Sequence, residues 1–126
     1  PGLGPIKAIL EHLILMNSPR TIHLYWGVRT EQDFYLNLPS EWSEKHANIN
    51  YIPVLSEPGS AWTGKSGFVH EAVMNDFENL VDFEVYACGP PVMVKAAAKS
   101  CIENKLNKEN FFSDSFEYAN VSVSDD

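Results

Sequence analysis

The sequence predicts an α/β fold, a doubly wound parallel sheet with helices on both faces. Two observations indicate it. Amphipathic stretches with helical spacing alternate with short apolar runs rich in β-branched and aromatic residues, and two of these runs end in glycine. The 126 residues suffice for one domain, which we place at 1–118, followed by a polar tail at 119–126.

The predicted elements alternate from the start of the chain. A helix beginning at Pro5 is expected to end near NSPR, where its apolar pattern breaks. The strand TIHLYWG follows, and then TEQDFYL, in which Thr30 and Asp33 have the spacing of a helix-capping box. SEWSEKH is predicted as a short helix. INYIPVL is predicted as a strand at a sheet edge, because Pro53 has no backbone N–H to donate.

The second half of the chain continues the alternation. GFVHEAVMNDF is predicted as a helix, FEVYAC as a strand, Val94 to about Asn107 as a helix, and NFFSDSF as the last strand. In doubly wound sheets a strand normally precedes the first glycine turn, whereas here only PGLG precedes the first helix. We therefore expect the first, central strand to be missing, and a partner segment or a homodimer contact to cover the gap.

Composition argues against several classes of function. The net charge is −8, from 17 acidic and 9 basic residues, whereas binding to nucleic acid or to an anionic membrane needs clustered Lys and Arg. No apolar run approaches the ~20 residues of a membrane helix, and no signal peptide is recognisable. Cys88 and Cys101 lack the spacing of a zinc or disulfide framework, and the histidines are scattered. We therefore expect a reduced, cytoplasmic protein without a metal site.

The octet GSAWTGKS, from Gly59 to Ser66, matches the spelling of a phosphate-binding P-loop. Its setting opposes that function. The strand FEVYAC ends in Cys88 and Gly89 and not in the acidic residue that commonly holds Mg²⁺ at the end of such a strand, and Glu57 would repel an incoming phosphate. The favoured interpretation is a loop that caps a helix, and a P-loop nucleotidase is a minor alternative.

A second motif, YACGPPVM, lies where a strand is predicted to end. Ligands bind at the carboxyl ends of parallel strands. Gly89 allows the backbone to approach a ligand closely, and Pro90 and Pro91 fix the turn. Cys88 either lines the floor of that crevice or is a packed small hydrophobic residue. The spacing alone does not decide between these two roles.

The same motif carries a resemblance to a known family. YACGPPVM resembles the C-G-P-P-x-M signature of the nicotinamide-binding, Rossmann-like domain of the ferredoxin–NADP⁺ reductase superfamily. GLGPIKAI is similar to the second half of that family's glycine-rich pyrophosphate loop, and IHLYWGVRTEQDFYL is similar to its second strand and following helix. PVLSEPGSAWTGKSGFVHEAV resembles the segment after the third strand, particularly in NADH-dependent iron–sulfur flavoprotein reductases and flavin reductases, and FFSDSFEYA resembles the closing strand.

The resemblance implies a set of cofactor-binding residues. It places Gly2, Gly4 and Pro5 at the pyrophosphate, on the positive end of the first helix. Cys88 would lie beside the nicotinamide C4 atom, from which the hydride leaves, and is the catalytic residue that the resemblance implies. The other implied cofactor-binding residues are Gly27, Val28, Arg29, Gly89, Pro90, Pro91 and Met93.

The resemblance also bears on the choice of nucleotide. Ser56 and Glu57 stand where NADPH-using relatives carry Ser-Arg for the 2′-phosphate. A carboxylate there favours NADH over NADPH, whereas Lys65 is the nearby cation that could restore phosphate binding. Phe116 or Tyr118 would face the edge of a flavin.

The implied reaction is hydride transfer from NADH to FAD, followed by electron transfer to an iron–sulfur centre or to free flavin. The sequence lacks the family's FAD-binding barrel and any cysteine set for an iron–sulfur cluster. We therefore expect a fragment of a longer oxidoreductase, with an FAD-binding barrel domain and an iron–sulfur domain as partners. The isolated chain is expected to be inactive without a flavin domain. A non-catalytic nucleotide-binding module is the alternative.

Overall fold

The computed structural model describes residues 4–34 and 38–115 and confirms an α/β fold with parallel strands. The helices are α1 (Gly4–Leu15), α2 (Leu38–Lys45), α3 (Val69–Asp76) and α4 (Pro91–Glu103). The strands are β1 (Ile22–Val28), β2 (Ile49–Leu55), β3 (Lys65–Ser66), β4 (Val85–Gly89) and β5 (Phe111–Ser115). Short 3-10 helices lie at Glu31–Asp33 and Lys108–Asn110. None of the described helices combines the length and the apolar character needed to cross a membrane.

The chain forms two compact units, unit 1 from residues 1–16 and 77–126 and unit 2 from residues 17–76. Unit 2 contains a parallel sheet with the strand order β1-β2-β3. Gly27 and Val54 pair across this sheet and share a face, and Val69 of α3 packs against Gly27. Val54 and Leu55 are both completely buried and, as neighbours in a strand, point to opposite faces. Both faces of β2 are therefore covered.

The prediction that β2 lies at a sheet edge is wrong, because β3 pairs with its second side. Strand β3 is only two residues long and begins to pair at Val54. The Leu55 carbonyl accepts a hydrogen bond of 2.8 Å from the Gly67 N–H on the β3 side. Since successive residues of a strand alternate in direction, the Pro53 nitrogen also faces that side. It lies before the paired segment begins, where the missing donor breaks no ladder.

The predicted capping box is present around the first 3-10 helix. The Asp33 carboxylate accepts hydrogen bonds from the Thr30 N–H at 3.1 Å and from the Thr30 hydroxyl at 3.2 Å. The short helix that it opens ends at Asp33, and its C-cap residue Phe34 makes an edge-to-face contact with Trp26 of β1. The box therefore fixes how the chain leaves β1.

Unit 1 contains a second parallel sheet, in which β4 pairs with β5. Helix α1 packs against β4, and helix α4 packs against both strands. No strand among the described residues pairs with members of both sheets.

Helix α4 ends at Glu103, before the predicted end near Asn107. Lys105 adopts the left-handed conformation, with a φ of 77°, and the Leu106 N–H donates to the Cys101 carbonyl at 3.0 Å. This closure is of the Schellman type, in which an apolar residue after the helix turns back onto it, and Leu106 is accordingly buried. The apolar periodicity did not reveal the end, because the left-handed residue is a lysine rather than a glycine.

Candidate functional site

The carboxyl end of β4 forms a rigid turn into α4. Gly89 has a φ of 156° and is buried, yet a Cβ added to it would meet no atom within 4 Å. Pro90 is the N-cap residue of α4, with φ −60° and ψ 149°, and Pro91 is the first helical residue. Proline is pre-organised for that position, since its missing N–H would have no partner inside the helix. The turn therefore leaves open space beside the glycine backbone while holding its shape.

Cys88 lies half-buried at this turn. Burial raises the pKa of its thiol, and the carboxylate of Asp114, its neighbour across the sheet, raises that pKa further. A hydrogen bond from the Ile6 backbone in the first turn of α1 acts in the opposite direction and lowers the pKa. The net effect is a raised pKa, so Cys88 is a neutral thiol at pH 7 rather than a thiolate nucleophile.

The first turn of α1 is thus part of the same site as Cys88. Gly4 is the first residue of α1 and Pro5 is the second. A Cβ added to Gly4 would meet no atom within 4 Å. The first N–H groups of a helix have no partner within it, and the helix dipole is positive at this end. Open space beside Gly4 therefore fits a diphosphate, whereas Gly2 lies outside the described residues.

Helix α4 presents the last of the predicted residues in unit 1. Met93 is 39% exposed in the first turn of α4, whereas the next residue, Val94, is buried in the core. Phe116 and Tyr118 lie outside the described residues. Unit 1 therefore brings together two glycines with open surroundings, a neutral thiol, a rigid proline turn and the start of a helix.

In unit 2, backbone hydrogen bonds join the ends of β1 and β2. The Ser56 N–H donates to the Val28 carbonyl at 3.0 Å, and the Glu57 N–H donates to the Arg29 carbonyl at 2.8 Å. Arg29 and Glu57 are both exposed. The structure thus brings four of the predicted residues together at the carboxyl ends of two adjacent parallel strands, where ligands of open α/β sheets bind.

Gly27 has a packing reason to be glycine. A Cβ at this position would lie 2.2 Å from Cγ2 of Val69. The close approach of β1 and α3 therefore requires a residue without a side chain, independently of any ligand.

The P-loop spelling does not correspond to a P-loop geometry. Lys65 and Ser66 form strand β3, and helix α3 begins only at Val69, whereas in a P-loop these two residues lead directly into the helix that holds the phosphate. The indole N–H of Trp62 donates to the Lys65 carbonyl at 2.8 Å. A Cβ on Gly64 would lie 2.6 Å from the Trp62 ring, so this glycine serves the packing of a tryptophan.

The Lys65 side chain belongs to a network that the sequence analysis missed. Its ammonium lies 2.8 Å from Oδ1 of Asp76, and the Tyr25 hydroxyl donates a hydrogen bond to Oδ2 of the same carboxylate. Hydrogen bonds from Lys65 and Tyr25 lower the pKa of Asp76, whereas burial and the Asp76 carboxylate raise the pKa of Tyr25. The three residues follow no motif or helical spacing, so the sequence held no signal of this network.

The parallel strands and the turns at their carboxyl ends are those of a nucleotide-binding α/β domain. The chain belongs to the oxidoreductase NAD-binding domain family, whose model matches residues 1–99. This confirms the predicted superfamily and makes a nicotinamide dinucleotide the class of cofactor.

Relatives and solved structures agree with this membership. The chain is 47% identical to the protein RfbI of Salmonella typhimurium, over 94% of this chain and 36% of that protein. It is 45% identical to the CDP-6-deoxy-L-threo-D-glycero-4-hexulose-3-dehydrase reductase of Yersinia pestis, over 91% of this chain and 35% of the reductase. A probable flavin reductase of Aliivibrio fischeri is 41% identical, over 93% of this chain and 50% of that protein. In structure, the chain resembles the Amycolatopsis cytochrome P450 reductase GcoB, with a TM-score of 0.84 and 28% identity, over 91% of this chain and 34% of GcoB.

The chain spans between 35% and 50% of the length of the curated relatives named above.

Proposed function

We propose that the chain is the NADH-binding part of a flavoprotein reductase, and that it positions NADH for hydride transfer to FAD. The observation that carries the proposal is the site in unit 1. There the neutral Cys88 thiol and the Gly89 backbone lie at the end of a parallel strand, beside the amino-terminal turn of α1, with open space at both Gly4 and Gly89.

Each group in unit 1 has a distinct binding role. The free N–H groups of the first turn of α1, together with Gly2, Gly4 and Pro5, hold the pyrophosphate. Gly89 lets its backbone approach the nicotinamide, and Pro90 and Pro91 keep that backbone in place; Met93 provides an exposed apolar side chain next to it. When bound, the nicotinamide supplies a hydride and the flavin of the longer protein accepts it.

The role proposed for Cys88 follows from its protonation state. A thiolate next to the nicotinamide would add a negative charge and a competing nucleophile, whereas the raised pKa keeps the thiol protonated. Cys88 thus offers a small, polarisable and neutral surface that orients the ring.

The residues proposed to select the nucleotide lie in unit 2. Ser56 and Glu57 follow β2 directly, and Arg29 is joined to Glu57 through the backbone. The Glu57 carboxylate accepts a hydrogen bond from a ribose hydroxyl, and it repels a 2′-phosphate. Gly27 and Val28 line the same strand ends. NADH is therefore preferred over NADPH.

The remaining part of the proposal concerns the longer protein. The relatives that this chain matches over about a third of their length have room for an FAD-binding barrel and, in some, an iron–sulfur domain. One relative, 30% identical, is named as the electron transfer component of the anthranilate 1,2-dioxygenase of Acinetobacter baylyi. We propose that electrons pass from FAD to an iron–sulfur centre or to free flavin, that Phe116 faces the flavin, and that the isolated chain is inactive without a flavin domain.

A titration of the chain with NADH, NADPH and Mg·ATP in parallel, followed by backbone amide shifts, tests the proposal. NADH is expected to shift Gly4, Cys88 and Gly89 at lower concentration than NADPH. Shifts confined to Gly64 and Lys65, obtained with Mg·ATP and not with NADH, would contradict it.

The variant Gly4→Ala sharpens this test. A methyl group here meets no protein atom within 4 Å, so the fold is expected to be unchanged, whereas the group would intrude on the pyrophosphate and weaken NADH binding roughly tenfold. The matched control is Ala8→Ser, a similar enlargement at an exposed position one turn further along α1, which is expected to bind NADH as the wild type does. Equal NADH affinity in Gly4→Ala and wild type would remove Gly4 from the site.

A further inference from the structure

Both ends of the Lys65 residue are held in place. Its backbone pairs with Val54 in the sheet, and its carbonyl accepts a hydrogen bond from the Trp62 indole. Its ammonium lies 2.8 Å from one oxygen of the Asp76 carboxylate, whose other oxygen accepts from the Tyr25 hydroxyl. Because each carboxylate oxygen has its own donor, Asp76 is fixed from β1 while it holds the lysine.

The register shows which way the lysine is held. Lys65 pairs with Val54, and Tyr25 pairs with Ile52, which is nearer the amino-terminal end of β2. Ser56 and Glu57 lie on the other side of Val54, about 7 to 10 Å further along the strand at ~3.3 Å per residue. Asp76, which holds the ammonium, therefore contacts β1 toward the amino-terminal end of the sheet, whereas Ser56 and Glu57, proposed to contact the nucleotide ribose, lie at the carboxyl end.

The positive charge of Lys65 is also neutralised by the Asp76 carboxylate beside it. The side chains of Lys65 and Asp76 are 38% and 27% exposed, so both are only partly hydrated, and together they carry no net charge. Glu57 therefore faces its ligand without the help of this cation, although a flexible four-carbon stem would let a released lysine ammonium move toward the carboxyl ends of the strands.

We propose that Asp76, anchored by Tyr25, is a positioning residue for nucleotide selection: it withholds Lys65 from the carboxyl ends of β1 and β2, where the ammonium would otherwise bind the 2′-phosphate of NADPH. This inference rests on the proposed function. It explains why Lys65, eight residues after Glu57 in the chain, does not offset that carboxylate. The preference for NADH then depends on two effects, repulsion of the 2′-phosphate by Glu57 and sequestration of Lys65 by Asp76.

The test compares dissociation constants of NADH and NADPH, measured by calorimetry on the 126-residue chain. Asp76→Asn keeps the shape of the side chain but removes its charge and releases Lys65. We expect the ratio of the NADPH constant to the NADH constant to fall about fivefold, the effect of one partly solvated ion contact. The double variant Asp76→Asn/Lys65→Met is expected to restore the wild-type ratio, because no cation remains to be released.

Lys65→Met is the matched control for the cation itself. Because wild-type Lys65 is held by Asp76, its removal is expected to leave the ratio within twofold of wild type. A fall of the ratio in the double variant as large as that in Asp76→Asn would overturn the proposal, since the effect would not then come through the charge of Lys65. A rise of the ratio in the double variant would also overturn it, because wild-type Lys65 would already be supporting NADPH binding.

The outcomes separate this inference from the proposed function. If wild type binds NADH at the unit 1 site and Asp76→Asn leaves the ratio unchanged, the role of Asp76 is refuted and the proposed function stands. If wild type does not bind NADH, both fail. Thermal unfolding of each variant, followed by circular dichroism, verifies that the compared chains are folded.

Discussion

Replacement of Gly27 by alanine is expected to destabilise unit 2 by overpacking. The new Cβ would lie 2.2 Å from Cγ2 and 3.5 Å from Cβ of Val69, whereas non-bonded carbons prefer about 3.5–4.0 Å. Val69 is the first residue of α3, and valine in a helix has one strongly preferred χ1 rotamer. Rotating it away would cost about 0.5–1.5 kcal/mol, so either the side chain or the helix must move.

The expected size of the effect follows from two opposing terms. Overpacking of a filled site costs about 1–3 kcal/mol. Alanine recovers part of this, because glycine inside a strand is less stable than alanine by about 0.5–1 kcal/mol. We therefore expect Gly27→Ala to lower the free energy of unfolding by about 1–2 kcal/mol.

Urea denaturation followed by far-UV circular dichroism and tryptophan fluorescence measures this loss. Trp26, the buried neighbour of Gly27 in β1, reports on the region directly. Val69→Ala removes the clashing methyl group, so the double variant Gly27→Ala/Val69→Ala is expected to be about 1 kcal/mol more stable than the sum of the single changes. Gly59→Ala is the control, since its added Cβ would make an ordinary contact of 3.5 Å. Strictly additive effects, or a Gly27→Ala chain as stable as wild type, would refute the packing argument.

Two further predictions concern titration. Burial raises the pKa of Tyr51 from 10.0 to about 12. Because the pKa is higher in the folded chain than in the unfolded chain, the stability that the neutral Tyr51 contributes is complete below pH 10 and is lost as the pH rises toward 12. Urea unfolding at increasing alkaline pH should show this loss, and Tyr51→Phe should reduce it; an identical pH dependence in both chains would speak against it. Because its pKa is raised, the Cys88 thiol is expected to react with iodoacetamide at pH 8 more slowly in the folded chain than in the unfolded chain. Asp114→Asn should accelerate the alkylation of Cys88 and leave the rate at Cys101 unchanged. Mass spectrometry of the proteolytic peptides that contain Cys88 and Cys101 measures both rates. Equal rates for Cys88 in the folded and unfolded chains would contradict the pKa argument.

The residues proposed to bind the nucleotide differ in kind between the two units. In unit 1 the proposed contacts are backbone groups, open glycines and a neutral thiol, so we expect binding there to depend on shape and on the helix dipole. In unit 2 the exposed groups are the charged side chains of Arg29 and Glu57. Affinity for the nicotinamide class and selectivity within it are therefore expected to respond to different substitutions.

The P-loop spelling shows how a local pattern can be explained by packing. Gly64 packs against the Trp62 ring, and Lys65 forms an ion pair with Asp76. The spelling of the octet predicts neither contact. The longer segment PVLSEPGSAWTGKSGFVHEAV, which includes the octet, is one of several that resemble the reductase family, and the family match confirmed that resemblance. The eight-residue motif alone was ambiguous, whereas several motifs in the family's order were not.

The sequence by itself determined the α/β class, the order of the helices and the longer strands, the capping box at Thr30 and the strand-end turn at Cys88. All of these depend on neighbours within a few residues, through apolar periodicity, proline geometry or short-range hydrogen bonds. Only the tertiary structure decided that Lys65 lies in a strand, that Gly27 is dictated by Val69, and that Asp76 holds the lysine. Those facts depend on contacts between residues far apart in the chain, such as Tyr25 and Asp76, and no spacing rule in the sequence records which distant side chains a fold brings together.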